Sequence, residues 1–386
     1  MAEPGRRRRR VAWVAPGDGA DHITALPLDL RARIASSLPF RQIARLATLS
    51  RPWRHIHHHT PVVDLVLDDF LVVTEEVLDE EASAAGVLNE DALARLEVAL
   101  ARRGNDGSGS KVDTLSITFR AKDPRMRLHA GLTIALAGAR RTCVFITGLS
   151  RSRRLNAWSV DLSPAARYLE VAAECHPVAP TVAGPGAAAL QTLYLHNVVL
   201  REWPRLPSLR SLTLGAATIE SPFPAGAWCP RLEDLCIFRS MTEQARVDIR
   251  LPLLKRLEMD EAYFNPDADI AVDAPELEEL DVCYPAYRSF TLRAPQLRCL
   301  AWSELFAEGV SVDVGRPGSV VSGRIRLTRS PEVDECREMK DIRAQMLLLP
   351  DTRSPEGTVE DPDTSNPIPG EKLTCDLSGL ISSLKA

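Results

Sequence analysis

Apolar positions along the chain fall into two regimes. Between Asp21 and Ile56 they recur at helical spacing; from about residue 110 they recur at strand spacing between Pro- and Gly-marked turns. In the first regime Leu26, Leu30, Ile34 and Leu38 lie on one i+4 row, which predicts an apolar stripe on a helix. Pro27 suits the first turn of that helix, where its missing N–H costs nothing, and Pro39 is expected to stop it near Ser37 or Leu38. Ile43, Leu46, Leu49 and Trp53 mark a second helical stripe, whose end Pro52 should shorten or bend. A block of about 36 residues rarely buries enough apolar surface to be stable alone. It must pack on the rest of the chain or on a partner.

Two further helices are expected. Asn89 to Arg103 carries Leu93, Leu96 and Leu100 on one face, with Asn89 as cap and Gly104 as stop. Pro124 to Ala139 places Leu128, Leu132, Ala135 and Leu136 on one side. Residues 104–110 read as a flexible loop.

The second regime is an internal repeat, P-x-L-x-x-L-x-(apolar). It occurs at Pro207-Leu209-Leu212-Leu214, Pro230-Leu232-Leu235-Ile237 and Pro252-Leu254-Leu257-Met259. It returns at Pro275-Leu277-Leu280-Val282 and Pro295-Leu297-Leu300-Trp302, with a copy lacking Pro at Leu190-Leu193-Leu195. The middle leucines, 193, 212, 235, 257, 280 and 300, step by 19, 23, 22, 23 and 20 residues. Steps near 22 around L-x-x-L-x-L are the signature of leucine-rich repeats, each giving one strand and one return segment that must stack to bury its apolar face. Weaker copies are expected at Val112-Leu115-Ile117, near Cys143-Phe145 and at Ala166-Leu169-Val171. Val198, Ala217, Ser240 and Ala262 stand where such repeats usually carry the Asn that ties the turn, so the arc should be irregular.

Composition narrows the classes. The chain has 386 residues, 45% hydrophobic and 26% charged, as ordinary soluble proteins do. No uncharged apolar run approaches the roughly 20 residues of a membrane span, so no membrane association is expected. Residues 1–10 hold five Arg and one Glu (+4), with no apolar stretch behind them to make a secretory signal. The formal charge of −5 therefore leaves −9 on the remainder, which disfavours nucleic acid as a partner. The 8 Cys are scattered with no C-x-x-C pair, as reduced thiols of a cytosolic or nuclear protein would be.

The helical block reads Leu-Pro…Leu…Ile…Leu-Pro…Ile…Leu…Leu-Ser-Arg…Trp and resembles the F-box without a gap, Pro52 being the one departure. With degenerate leucine-rich repeats behind it, the chain resembles the plant F-box/leucine-rich-repeat family over about residues 21–350. Arg337 to Pro350, within a helical pattern of Val333, Cys336, Met339, Ile342 and Met346, looks like the helix that ends that family's repeats. The resemblance implies an α+β fold, a helical F-box followed by an irregular repeat solenoid and a C-terminal helix. The divisions are 1–20 (disordered, basic), 21–60 (F-box), 61–110 (connector), 111–328 (repeats), 329–350 (helix) and 351–386 (disordered tail). It also implies a non-catalytic substrate-recognition subunit of an SCF ubiquitin ligase. Leu26, Pro27, Leu30, Ile34, Leu38 and Pro39 would contact a Skp adaptor, supported by Ile43 and Leu46, and through it a cullin. A protein substrate that the sequence does not name would meet the repeats. The alternative is a repeat scaffold with no ligase role, and Skp binding separates the two.

Catalytic and ligand motifs are weak. His55, His57, His58 and His59 cluster, but Thr60-Pro61 breaks any helix there, so a solvated turn is expected rather than a metal site. Gly184-Pro-Gly186 is no phosphate loop, and no hydrolase or metalloprotease motif occurs. Neither cofactor nor metal is expected. Arg6–Arg10 reads either as a nuclear address or as a plain basic tail, which puts the chain in the nucleus, the cytoplasm or both. Strand alternation puts Tyr194, His196, Thr213, Gly215, Cys236 and Phe238 on the open face of the repeats. Glu258, Asp260, Asp281 and Cys283 follow, with Glu279 one pleat earlier. The face should run from aromatic to acidic, the acidic end favouring a partner that carries Lys or Arg.

Overall fold

The computed structural model of the chain describes residues 23–49, 51–72, 87–105, 111–120, 124–148, 158–223, 228–283, 287–303, 309–314 and 322–326. The helix expected over 329–350 and the disordered ends expected over 1–20 and 351–386 lie outside the described residues.

The N-terminal block forms α1 (Leu28–Ala35) and α2 (Phe40–Leu49), then short 3-10 turns at Arg51–Trp53 and Ile56–His58. The first helix stops two residues earlier than Pro39 alone requires. Ser36, Ser37 and Leu38 donate back to Ala32, Ile34 and Ala35, closing it with a tight turn. Pro52 sits in the 3-10 turn, and its carbonyl accepts from Arg31 Nη1 at 2.6 Å. Ala32, Ala35, Ile43, Trp53 and Ile56 make a small core of their own, with Leu38 and Leu46 packed against it.

Eleven parallel strands then pair in chain order. They are β1 (Val62–Val66), β2 (Thr114–Arg120), β3 (Arg141–Thr147), β4 (Tyr168–Ala173), β5 (Thr192–His196) and β6 (Ser211–Gly215). They continue as β7 (Asp234–Phe238), β8 (Arg256–Asp260), β9 (Glu279–Cys283), β10 (Cys299–Ser303) and β11 (Ser322–Arg326). The sheet thus begins at Val62, within the stretch read as a connector. Helices α3 (Glu90–Asn105) and α4 (Pro124–Ala137) pack on each other. Asn89 caps α3 through its side chain, Oδ1 accepting from Ala92 N–H at 3.0 Å, and Leu93, Leu96 and Leu100 are buried as expected. The second of these helices turns the other way from its expected face. Met126, Ala130, Thr133 and Ile134 are buried while Leu128 and Leu132 are exposed, because the i, i+4, i+7, i+8 set points inward. In the later repeats the return segments are strands. Arg246–Arg250, Asp269–Asp273, Ser289–Arg293 and Gly309–Asp313 form a second parallel sheet.

Every leucine of the repeat motif is buried in one continuous core. Burying a Leu is worth about 1.5–3 kcal/mol. Three per repeat fall far short of the roughly 1–2 kcal/mol per residue that ordering the backbone costs. Stacking, which shares each layer with its neighbours, supplies the difference. The repeated Pro has a local cause. Leu209, Leu232, Leu254, Leu277 and Leu297 each donate to the carbonyl three residues back, so Pro207, Pro230, Pro252, Pro275 and Pro295 all hold the second position of a turn. Proline's fixed φ pre-sets that position and delivers the chain into the next strand.

The corners after β4 to β8 are regular although the tying Asn is missing from its usual place. His176, Asn197, Ala216, Arg239 and Glu261 all take positive φ, between 47° and 54°. The N–H groups of Asn197, Ala216, Arg239 and Glu261 donate to the last residue of the following strand, Gly215, Phe238, Asp260 and Cys283, at 2.7–3.0 Å. Backbone bonds do what the Asn ladder would do, and Ser240 adds a side-chain tie.

Candidate functional site

Two surfaces stand out. The first is α1, whose packing inverts the usual amphipathic arrangement. Its buried side consists of Ala32 and Ala35, small residues that let the Ile56–His58 turn approach closely. Its large apolar side chains face water: Leu28 is 42%, Leu30 39% and Ile34 46% exposed, and Ile23 in the preceding turn is 54% exposed. Pro27 and Pro39 are also exposed, and Leu26, Leu38 and Leu46 half-buried. Ile43 is fully buried and so supports this surface from beneath. The block touches the repeat region through α2, which meets β1, through Phe40 against the main core, and through an ion pair of Arg41 with Asp69 at 2.9 Å. Arg103, on α3, donates to the Thr60 carbonyl at the same junction. His57 lies there half-buried. Burial first, then the charges of His58 and Arg103, push its pKa down to about 4, so it is neutral at pH 7. Among the described residues no group of three or more His, Cys, Asp or Glu is placed to hold a metal ion.

The second surface is the outward face of the large sheet. Register arranges it in rows across the strands. One row runs Cys143, Glu170, Tyr194, Thr213, Cys236, Glu258, Asp281. The next runs Phe145, Ala172, His196, Gly215, Phe238, Asp260, Cys283. Neighbouring strands are about 4.8 Å apart, so Tyr194, His196 and Phe238 stand two strands or fewer from one another, and Glu258 is directly beside Asp281. The ring centroids of Tyr194 and His196 are 6.2 Å apart, and those of His196 and Phe238 6.1 Å. The Cys236 thiol is pushed up to about 12, by burial and then by Glu258 and Asp260, so it stays protonated.

Three residues behave differently from the sequence expectation. Glu279 is engaged by Arg256, whose Nε donates at 2.8 Å, so its charge is matched inside the face. In β3 Thr142, Val144 and Ile146 point inward and Phe145 is exposed, while Cys143 shares the outward register with Glu170 and is itself buried. A polar cluster that the sequence reading missed follows from this. Glu170 accepts from Tyr168 Oη at 2.8 Å and from Cys143 Sγ at 3.4 Å, and the Arg141 guanidinium lies 4.0 Å over the Tyr168 ring. Correct phasing of the β3 alternation would have found it.

No protein-family model matches the chain, and no solved structure matches it. Two curated proteins of Arabidopsis thaliana do. An FBD-associated F-box protein is 25% identical over 306 residues, which cover 74% of this chain and 57% of that protein. An F-box protein is 41% identical over 61 residues, 16% of this chain and 15% of the relative. The chain therefore spans just over half the length of the first relative and a small part of the second, and neither name speaks of leucine-rich repeats. In sequence, the chain is thus similar to these two plant F-box proteins.

Proposed function

We propose that the chain is a non-catalytic substrate-recognition subunit of an SCF-type ubiquitin ligase. The N-terminal block binds a Skp adaptor, and through it a cullin, while degenerate leucine-rich repeats bind a protein substrate. The observation that carries this reading is the inversion of α1. A helix that packs through Ala32 and Ala35 and leaves Leu28, Leu30 and Ile34 in water is built to be covered by another protein. Relatedness to F-box proteins supports the identity of the covering partner. The experiment is Ile34→Arg. Truncating or charging a central anchor costs about 2 kcal/mol or more, so co-purification with the Skp adaptor is lost while the circular dichroism of the repeats is unchanged. Retained adaptor binding would refute the reading and leave the chain as a repeat scaffold without a ligase role.

A further inference from the structure

Helices α3 and α4 carry an apolar surface of their own on the side away from the core. Glu90 pairs with Arg125 at 3.6 Å, and Glu97 Oε1 lies 3.0 Å from His129 Nδ1, so the two helices run side by side in the same direction. Their core stripes are Leu93, Leu96 and Leu100 on α3 and Met126, Ala130 and Ile134 on α4. At about 100° per residue, Ala94, Val98 and Ala101 then form the outer lip of the seam on α3, and Leu128 and Leu132 form it on α4. Val98 is 50%, Leu128 63% and Leu132 43% exposed. Alanines on one lip and leucines on the other leave an apolar trough between the helices. Arg95 and Arg102 border Val98, and among the described residues neither enters an ion pair; Arg95 Nε donates to the Asp91 carbonyl.

A trough of this kind takes an amphipathic helix, and the sequence holds one beyond the last described strand. Leu373, Leu377, Leu380, Ile381 and Leu384 fall at i, i+4, i+7, i+8 and i+11, one apolar stripe with Asp376 on its flank. We propose that residues 373–384 lie as a short helix in the α3–α4 trough of the same chain. Leu377, Leu380, Ile381 and Leu384 cover Val98, Leu128 and Leu132, and Asp376 meets Arg95 or Arg102. Lengths agree. At 1.5 Å per residue, α3 with 16 residues and α4 with 14 run for about 24 and 21 Å, against about 18 Å for the segment. Reach agrees as well. The trough borders β2, nine strands from β11, or about 43 Å along the stack. Arg326 and Leu373 are 47 residues apart. With 329–350 as the helix its spacing predicts, about 33 Å long, the other 25 residues still extend to about 80 Å. By itself so short a segment, with Gly379 and Ser378, Ser382 and Ser383, holds no stable helix in water. The trough supplies the apolar partner that it lacks.

The test uses full-length chains and a fluorescein-labelled peptide of residues 371–386. A tail variant, Leu377→Asp with Ile381→Asp, frees the trough without touching the folded region. A second variant adds Leu128→Asp and Leu132→Asp, both at exposed positions, with circular dichroism confirming that it is folded. By fluorescence anisotropy the peptide should bind the tail variant at least about tenfold more tightly than the wild type, whose own segment competes at roughly millimolar effective concentration. The added trough charges should weaken it at least about tenfold. Absence of binding to the tail variant would overturn the proposal, as would equal binding to the wild type or indifference to the trough charges. In the wild type, amide exchange over 373–384 should be slower than in a chain carrying Leu128→Asp and Leu132→Asp alone, and independent of protein concentration. Protection that fades on dilution would assign the trough to the segment of a second copy and overturn the contact within one chain. The inference stands apart from the ligase role: Ile34→Arg, which tests adaptor binding, should leave peptide binding to the tail variant unchanged.

Discussion

Replacing Ser240 by Ala tests the account of the corners. Ser240 is 2% exposed. Its hydroxyl accepts from the Ala217 amide at 3.1 Å and has one proton to donate, to the Leu214 carbonyl at 3.0 Å or the Phe238 carbonyl at 3.1 Å. Alanine fits the space but leaves the buried Ala217 N–H without that acceptor. An orphaned buried amide costs about 1–3 kcal/mol, and a domain of this size loses about 2–4 °C of Tm per kcal/mol. A fall of roughly 2–12 °C is therefore expected by thermal unfolding. Hydrogen exchange at the Ala217 amide should accelerate together with it. An unchanged midpoint with unchanged protection at Ala217 would show that the hydroxyl does not hold the corner, and that backbone bonds alone suffice there.

Two further outcomes are expected. The pKa of His57 is held near 4 in the folded chain against an ordinary 6.5, so the fold prefers the neutral imidazole. Its contribution is complete above pH 6.5 and is lost as the pH falls toward 4. His57→Asn should therefore lessen the drop in urea midpoint between pH 7 and pH 4.5, and an equal drop in both proteins would refute this. If Arg6–Arg10 is a nuclear address, deleting it shifts a fluorescent fusion out of the nucleus, and an unaltered distribution marks the run as an ordinary solvated tail.

The strong periodicities were legible. Leu93, Leu96 and Leu100 lie buried on the helix assigned to them, and the P-x-L-x-x-L phase places six successive strands with the expected side inward. Phase was lost where both faces are apolar. In Thr-Cys-Val-Phe-Ile-Thr (142–147) no charged residue sets the alternation, so a repeat copy near Cys143-Phe145 puts Phe145 in an inward phase although it is exposed. The period of α1 was right, yet the residues that pack are Ala32 and Ala35, because the close approach of the Ile56–His58 turn selects small side chains and leaves the large ones for another use. The Arg256–Glu279 pair joins residues 23 apart and exists only once the register of β8 and β9 is fixed. Apart from the side chains of Ser240 and Asn197, the corners give little side-chain signal, because the atoms that repeat from one to the next are main-chain atoms present in every residue.

Those corners also give the solenoid a direction in time. The first amides of a strand reach backward: Arg210 and Ser211 donate to Gln191, Glu233 and Asp234 to Arg210, and Lys255 and Arg256 to Glu233. The corner amides reach forward, Ala216 to Phe238 and Arg239 to Asp260. A newly synthesised strand can therefore dock as soon as its leading end emerges, on acceptors already in place. The corner of the strand before it locks only when the newcomer's last residue arrives. Synthesis from the N-terminus thus closes the stack like a ratchet, one repeat behind the growing end, and each locked corner is sealed before the next but one repeat exists. Stripping the chain from its C-terminal side undoes the same sequence in reverse, each lost strand unlatching the corner of the one it leaves behind.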